Sequence, residues 1–237
     1  AENEQRAPGT FTQVIRVYTT IKPMETSPEA LPHSSVYKLL TGAIVPRPIG
    51  WISTLDLDGR PNLAPFSFFN VVCSKPATVV FCPLVRGSDG GLKDTLRNAH
   101  ATGEFVVNIV TEDLAAAMNR SSVEAPPGFD EFAFAGVNPT PSAAVRPPRV
   151  AESPIHFECR VRQIVEISDQ PGGGSLVIGA VVHIHVDERV LLGSDKIDLA
   201  ALKPIGRLAG GGYTRVTDLF EMERPKSTIP APEGKSQ

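Results

Sequence analysis

Residues 155–167 alternate in a way that a half-exposed β-strand satisfies. Ile155, Phe157, Cys159, Val161, Val165 and Ile167 point one way, and His156, Glu158, Arg160 and Arg162 point the other. That two-residue period is the pattern of a pleated strand with one face on a core. A glycine-rich turn, Pro171 to Ser175, follows, and Leu176 to Val186 returns as a second long strand, with Gly179 marking a bulge. Two arms of this length commit the chain to antiparallel β structure.

Other segments add strands to the same sheet. Gly50 to Leu55 and Asn62 to Phe69 flank Asp58-Gly59, a tight-turn pair whose residues tolerate positive φ, which predicts a hairpin. Thr78 to Cys82 and Glu104 to Val110 are nearly continuous apolar runs of strand length, as expected for strands buried on both faces. The 22 prolines and 20 glycines fall between these runs and act as turn punctuation. Helices are fewer. Asp94 to His100 reads as one, ended by Thr102-Gly103. Thr111 to Asn119 reads as a second with Thr111 as N-cap, and Lys196 to Lys203 as a third. Residues 120–154 carry many prolines and no period, and read as an ordered excursion across the surface, more a fixed lid than a floppy one. The expected fold is all-β with minor helices, a β-barrel with helical covers. Residues 1–30 form an N-terminal extension, 31–224 one continuous domain and 225–237 a loose tail.

Bulk properties narrow the function. A formal charge of -3 with both signs scattered offers no polybasic surface for nucleic acid or anionic lipid, so any bound phosphate must be held locally by a few placed groups. No apolar run approaches the roughly 18 residues of a membrane span, and the first residues lack the charged-then-apolar order of a secretory leader. Cys73, Cys82 and Cys159 form no Cys-x-x-Cys pair and read as buried free thiols in a reducing cytoplasm. Glycine signatures of Rossmann and P-loop sites are missing, as is the Gly-x-Ser-x-Gly elbow. His183-x-His185 could share one strand face near His156 and Cys159. No carboxylate completes a ligand set there, and surface or cleft histidines with no metal are the expectation.

Three segments together carry specificity. They are Arg47-Pro48-Ile49-Gly50-Trp51-Ile52-Ser53-Thr54; then Asn62-Leu63-Ala64-Pro65-Phe66-Ser67-Phe68-Phe69-Asn70; then Lys93-Asp94-Thr95-Leu96-Arg97-Asn98 with Thr102-Gly103-Glu104-Phe105-Val106-Val107-Asn108. Their order and spacing resemble the flavin reductase-like family of FMN-binding split β-barrel proteins, which includes flavoredoxins. Glu152-Ser153-Pro154, Glu158-Cys159, Gly179 to Val186 and Gly206-Arg207-Leu208 before Tyr213 agree, so the resemblance spans about residues 35–220. It implies a Greek-key type antiparallel split barrel, a homodimer with flavin near the subunit interface, and FMN as cofactor with FAD as the alternative.

Physical requirements can be set beside that resemblance. A flavin phosphate needs a cradle, and Arg86 and Lys93 offer charge, Thr95 a hydroxyl, and a helix starting near Asp94 its unpaired N–H groups. Asp94 stands apart, because its carboxylate repels phosphate and suits a helix cap. Ser53, Thr54, Ser67 and Asn70 are small polar residues in apolar strand sequence, and buried polar groups need partners. Backbone hydrogen bonding is one reading, and contact with the ring edge and ribityl hydroxyls is the one the resemblance favours. Phe68, Phe69 and Trp51 suit either core or ring packing. Arg207 and Tyr213 match late family positions near the flavin or the dimer partner.

The resemblance implies hydride transfer from NADH or NADPH to flavin, with electrons passed to a flavin-dependent monooxygenase or another acceptor. The protein's share is positioning and charge stabilisation, and His183 is the candidate for the nicotinamide side. Two further classes remain: a flavoredoxin-like carrier with permanently bound FMN and no NAD(P)H activity, and a non-enzymatic ligand-binding barrel.

Overall fold

The computed structural model describes residues 23–225, so the expectations for 1–22 and 226–237 lie outside the described residues. Seven strands form the main sheet: β1 (Gly50–Leu55), β2 (Pro61–Phe66), β3 (Phe69–Ser74), β4 (Ala77–Phe81), β5 (Glu104–Ile109), β6 (Ile155–Ser168) and β7 (Gly174–Val186). Their spatial order is β2-β1-β5-β6-β7-β4-β3, and every pairing is antiparallel. Among the described residues five α-helices accompany them: α1 (His33–Ala43), α2 (Asp94–Thr102), α3 (Ala115–Arg120), α4 (Glu131–Ala135) and α5 (Leu199–Leu202). None of these is long and apolar enough to cross a membrane.

Connectivity forces the sheet to roll up. β2 and β3 are its two edges, yet only Ser67 and Phe68 join them. Laid flat, seven strands would separate those edges by about 29 Å, whereas three Cα steps reach about 11 Å. The sheet therefore curls until its edges meet at this corner, giving the split barrel. The corner is tied to the rest by Arg47, which is buried. Its guanidinium donates to the carbonyls of Thr41, Ile44 and Leu208 and to Ser67 Oγ at 3.4 Å.

The single strand expected over Asn62–Phe69 is thus two strands broken at the corner, and β3 continues to Ser74. β3 was not legible because Asn70 to Ser74 is exposed and lacks a buried face. The Asp58-Gly59 turn forms as expected, with Gly59 at φ 83° and Arg60 N–H donating to Asp56.

Barrel filling follows strand alternation. Ile52, Phe66, Val79, Phe81, Phe105, Val107, Cys159 and Val177 fill the interior together with Leu96 of α2. Trp51, on the opposite face of β1, joins Leu63, Val110, Met118, Phe132 and Val150 in a second core under α3 and α4. β5 is consequently buried on both faces, as its apolar run implied. Two glycines permit close approaches. A Cβ on Gly50 would sit 2.6 Å from the Phe69 ring, and one on Gly179 would sit 2.3 Å from Phe105 Cζ.

The β6–β7 hairpin forms, but its alternation does not run unbroken. Register shifts occur at Glu158/Cys159, Val161/Gln163 and Glu166/Ser168. They turn Ile164 onto the barrel core and leave Ile167 71% exposed. His156 and Glu158, expected on the open face, are buried, because the 120–154 excursion folds over them. Glu158 accepts the backbone N–H groups of Ala143 at 2.7 Å, Ala144 at 2.5 Å and Val145 at 3.1 Å. That excursion also contains α4 and a short ladder pairing Pro139–Thr140 with Arg149–Val150.

The helices differ in detail from expectation. α2 extends to Thr102 and ends on Gly103 at φ 69°. The second begins as a 3-10 turn at Glu112–Leu114 before α3, and Thr111 makes no side-chain cap bond. In the third region Lys196–Ile197 pairs with Leu191–Leu192, and Asp198 caps α5 through the N–H groups of Ala200 and Ala201. α1 is a further helix, which sequence reasoning missed because it buries only Thr41.

Candidate functional site

A cavity of about 300 Å³ opens where β2, the 84–87 loop, the start of α2 and the excursion meet. Its walls include Asn62 and Ala64 of β2, Arg86, the Lys93-Asp94-Thr95 corner, Ser121 to Ala125, and Glu131 of α4. A smaller hollow of about 160 Å³, bordered by Arg60, Arg97, Asn98 and Phe129, shares Asn62 and Asp94 with it. The volume falls within the range of small-molecule sites.

Four of the sequence-predicted residues, Arg86, Lys93, Asp94 and Thr95, converge on this cavity. Lys93 is the N-cap residue of α2, and Asp94 is the first residue of the helix. Asp94 therefore does not cap the helix through its side chain, and its carboxylate is paired with Arg97 instead. The helix's first N–H groups have no intrahelical partners and carry the positive end of its dipole. Lys93 lies 5.6 Å from the Phe66 ring centroid, and burial pushes its amine below the ordinary lysine value although nearby Glu124 opposes this. Arg86 bonds Asp89 at 2.7 Å and lies 3.8 Å from Glu124.

Thr95 is 1% exposed and connects the cavity to a buried polar chain. Asn62 Nδ2 donates to Thr95 Oγ1 at 2.9 Å and to Thr54 Oγ1 at 3.2 Å, and Asn98 Nδ2 donates to Thr54 Oγ1 at 3.0 Å. Thr54 thus sits one layer behind the wall and orients Asn62 and Asn98. The remaining predicted residues lie away from the cavity lining. Trp51 is fully buried and reaches the wall only through its Nε1–H, which donates to Ser121 Oγ at 2.8 Å. Ser53 Oγ donates to Pro148 O, anchoring the excursion. Ser67 and Phe68 form the barrel corner, where Phe68 O accepts from Cys82 N. Phe69 packs on the barrel core, and the exposed Asn70 accepts from Val71 N. Arg207 stacks on Tyr213 at 4.5 Å, and Tyr213 O–H donates to Asn119 Oδ1 at 3.2 Å, two residues from the cavity-lining Ser121.

His183 is exposed and packs against His185, ring centroids 4.6 Å apart and tilted by 55°, on the hairpin and not at the cavity. His185 bonds the buried Glu158 at 2.5 Å. Burial opposes ionisation of Glu158, but the N–H donors of Ala143 and Ala144 and the His185 ring outweigh it, holding its carboxyl at about 2. His156 lies on the same face, covered by the excursion. Burial drops its ring to about 4, and the neutral imidazole bonds Val150 O at 2.8 Å.

Sequence reasoning missed Asn62 as a wall residue, and it missed Glu131. Glu131 is 7% exposed, accepts the Leu63 N–H at 3.2 Å, and is pushed up to about 7 by burial against the pull of that N–H. It lay in the excursion, where no period marks a buried carboxylate.

This donor set suits a phosphorylated, partly apolar ligand: two cations, a helix start and a hydroxyl at one end, with Ala64, Pro65, Leu84 and Val85 beside them. A flavin mononucleotide has that division. Comparison with known proteins points the same way. The flavin reductase like domain matches residues 42–196. An uncharacterized protein of Halalkalibacterium halodurans is 39% identical over 204 residues, covering 85% of this chain and 97% of that one. Nitrilotriacetate monooxygenase component B from Bacillus cereus superposes with a TM-score of 0.80 at 34% identity, covering 86% of this chain and all of that one. The 2-nitrobenzoate 2-nitroreductase of Pseudomonas fluorescens gives 0.77 at 30% identity, covering 88% and 100%. By motif, fold and match across residues 42–196, the chain belongs to the flavin reductase like domain family.

Proposed function

We propose that this protein binds FMN in the Arg86–Lys93–Thr95 cavity and oxidises NADH or NADPH at its expense. The observation that carries this reading is the convergence of those three side chains with the start of α2 on one cavity, in a chain of this family. FAD is the alternative flavin. When bound, the flavin supplies hydride acceptance and onward electron delivery. Arg86 and Lys93 neutralise the phosphate, Thr95 donates its hydroxyl, and the Thr54–Asn62–Asn98 chain keeps Thr95 pre-oriented. Residues 121–125 and Glu131 form one wall of the cavity, and this part of the excursion is the candidate for setting the choice of acceptor.

His183 is the candidate contact for the nicotinamide, on its strand position, and the assembly is a homodimer. Exposed apolar side chains on α1 (Leu39, Leu40) and at Phe220 and Met222 support pairing of two copies. Of the three thiols expected to be buried, only Cys159 is; Cys82 is half-buried, and Cys73 is exposed because its strand β3 has no buried face, and their lack of pairing supports a reducing compartment. Likeness to a monooxygenase component B supports delivery of reduced flavin to a partner oxygenase. The nitroreductase likeness favours a second reading, in which electrons pass directly to a small acceptor in the cavity.

A visible spectrum with added FMN, then anaerobic NADH and NADPH, tests the proposal. Saturable binding with bleaching by either nucleotide is expected. Binding without bleaching would indicate an electron carrier, and no binding would remove the reading.

A further inference from the structure

Three carboxylates line the cavity, and their surroundings differ. Asp94 is paired with Arg97. Glu124 bonds Ser88, lies 3.8 Å from Arg86, and its side chain is 54% exposed. Glu131 is almost fully buried and has no ion pair among the described residues; what it accepts is neutral backbone N–H, that of Leu63 at 3.2 Å. The groups around it are Asp130 on its own turn, Asn62 on β2, Arg120 on α3, which bonds Ala135 O, and Arg86, Lys93, Asp94 and Glu124 around the cavity.

An anion entering this space adds negative charge beside a carboxylate that no cation compensates. Asp94 and Glu124 each have a guanidinium at hand, from Arg97 and Arg86. We propose that Glu131 is the proton-accepting residue of the cavity: when a phosphorylated ligand binds, its carboxylate takes one proton from solvent and remains neutral while the ligand is held. The proposal rests on the flavin reading above and names a residue outside the phosphate cradle. The elevated value of Glu131 in the free protein, near 7, means the protonated form is already accessible. Raising pH should therefore weaken binding, since ionised Glu131 must be neutralised first.

Calorimetric titration of FMN at pH 8 in Tris and in HEPES tests this, since the difference in heat between the buffers counts protons. At that pH the free phosphate monoester is already a dianion, so it contributes little. Wild type should take up roughly half a proton or more per site. E131Q, which keeps an acceptor for the Leu63 N–H, should bind FMN with little or no uptake. Its affinity should also lose most of the wild-type decline between pH 6 and pH 9. Uptake that persists in E131Q assigns the proton to Lys93 and overturns the proposal, as does wild-type binding with no uptake. No binding of FMN in any buffer refutes the flavin reading and this inference together.

Discussion

Glu158→Gln is the substitution with the most calculable consequence. Glu158 is fully buried and receives three backbone N–H groups of the excursion and the His185 ring. Its carboxyl sits at about 2 in the folded protein against an ordinary 4.5. The folded value is depressed, so the stabilisation is present above the unfolded value and is lost as pH falls from about 4.5 through about 2. At 1.36 kcal/mol per unit, the difference is worth about 3 kcal/mol at pH 7 and about 1 kcal/mol at pH 3. Glutamine keeps one acceptor oxygen but turns an NH₂ toward N–H donors, so it should lose about 3 kcal/mol at neutral pH. For a domain of this size that is a fall in Tm of about 6–12 °C. Thermal unfolding of both proteins at pH 7 and pH 3 measures it. A penalty below about 1 kcal/mol at pH 7, or one that does not shrink at pH 3, would refute the assignment of Glu158 as an ionised anchor.

Three further outcomes are expected. Lys93→Met keeps the side-chain length and removes the charge, and should raise the FMN dissociation constant about ten- to hundredfold while leaving riboflavin affinity unchanged, read by flavin fluorescence. Thr95→Val removes an acceptor from the Asn62 amide, and should cost about 1–2 kcal/mol in urea unfolding as well as weakening FMN binding. Gly179→Ala places a methyl 2.3 Å from Phe105 Cζ in the filled barrel, and should destabilise by about 2 kcal/mol; a neutral result would mean the Phe105–Phe81 pair can shift.

What was legible in the sequence follows from how strongly local physics dictates each part. β1, β4, β5 and the β6–β7 hairpin announce themselves, because burial on one or both faces writes a period or an apolar run into the chain. The Lys93-Asp94-Thr95 corner was legible as a helix start joined to charge. Trp51 was not resolvable between core and ligand: an aromatic on a strand reads alike in both, and only the docking of α3 and α4 over the outer face decides. His156 and Glu158 read as exposed for a related reason. Alternation tells which face a residue occupies, but not that residues 143–150 cover that face. Glu131 and Asn62 join the cavity through contacts between segments some 70 residues apart, which no local pattern encodes.

The strand order has a consequence for how the chain comes off the ribosome. β1 to β4 are finished by residue 81, yet β1 has its second neighbour only when β5 arrives, and β4 waits about another hundred residues for β7. Until then two sticky edges stand open in the nascent protein. The β6–β7 hairpin is the keystone that slots between β5 and β4, so chains interrupted before Val186 should be held by chaperones or degraded and not accumulate as smaller flavin-binding fragments.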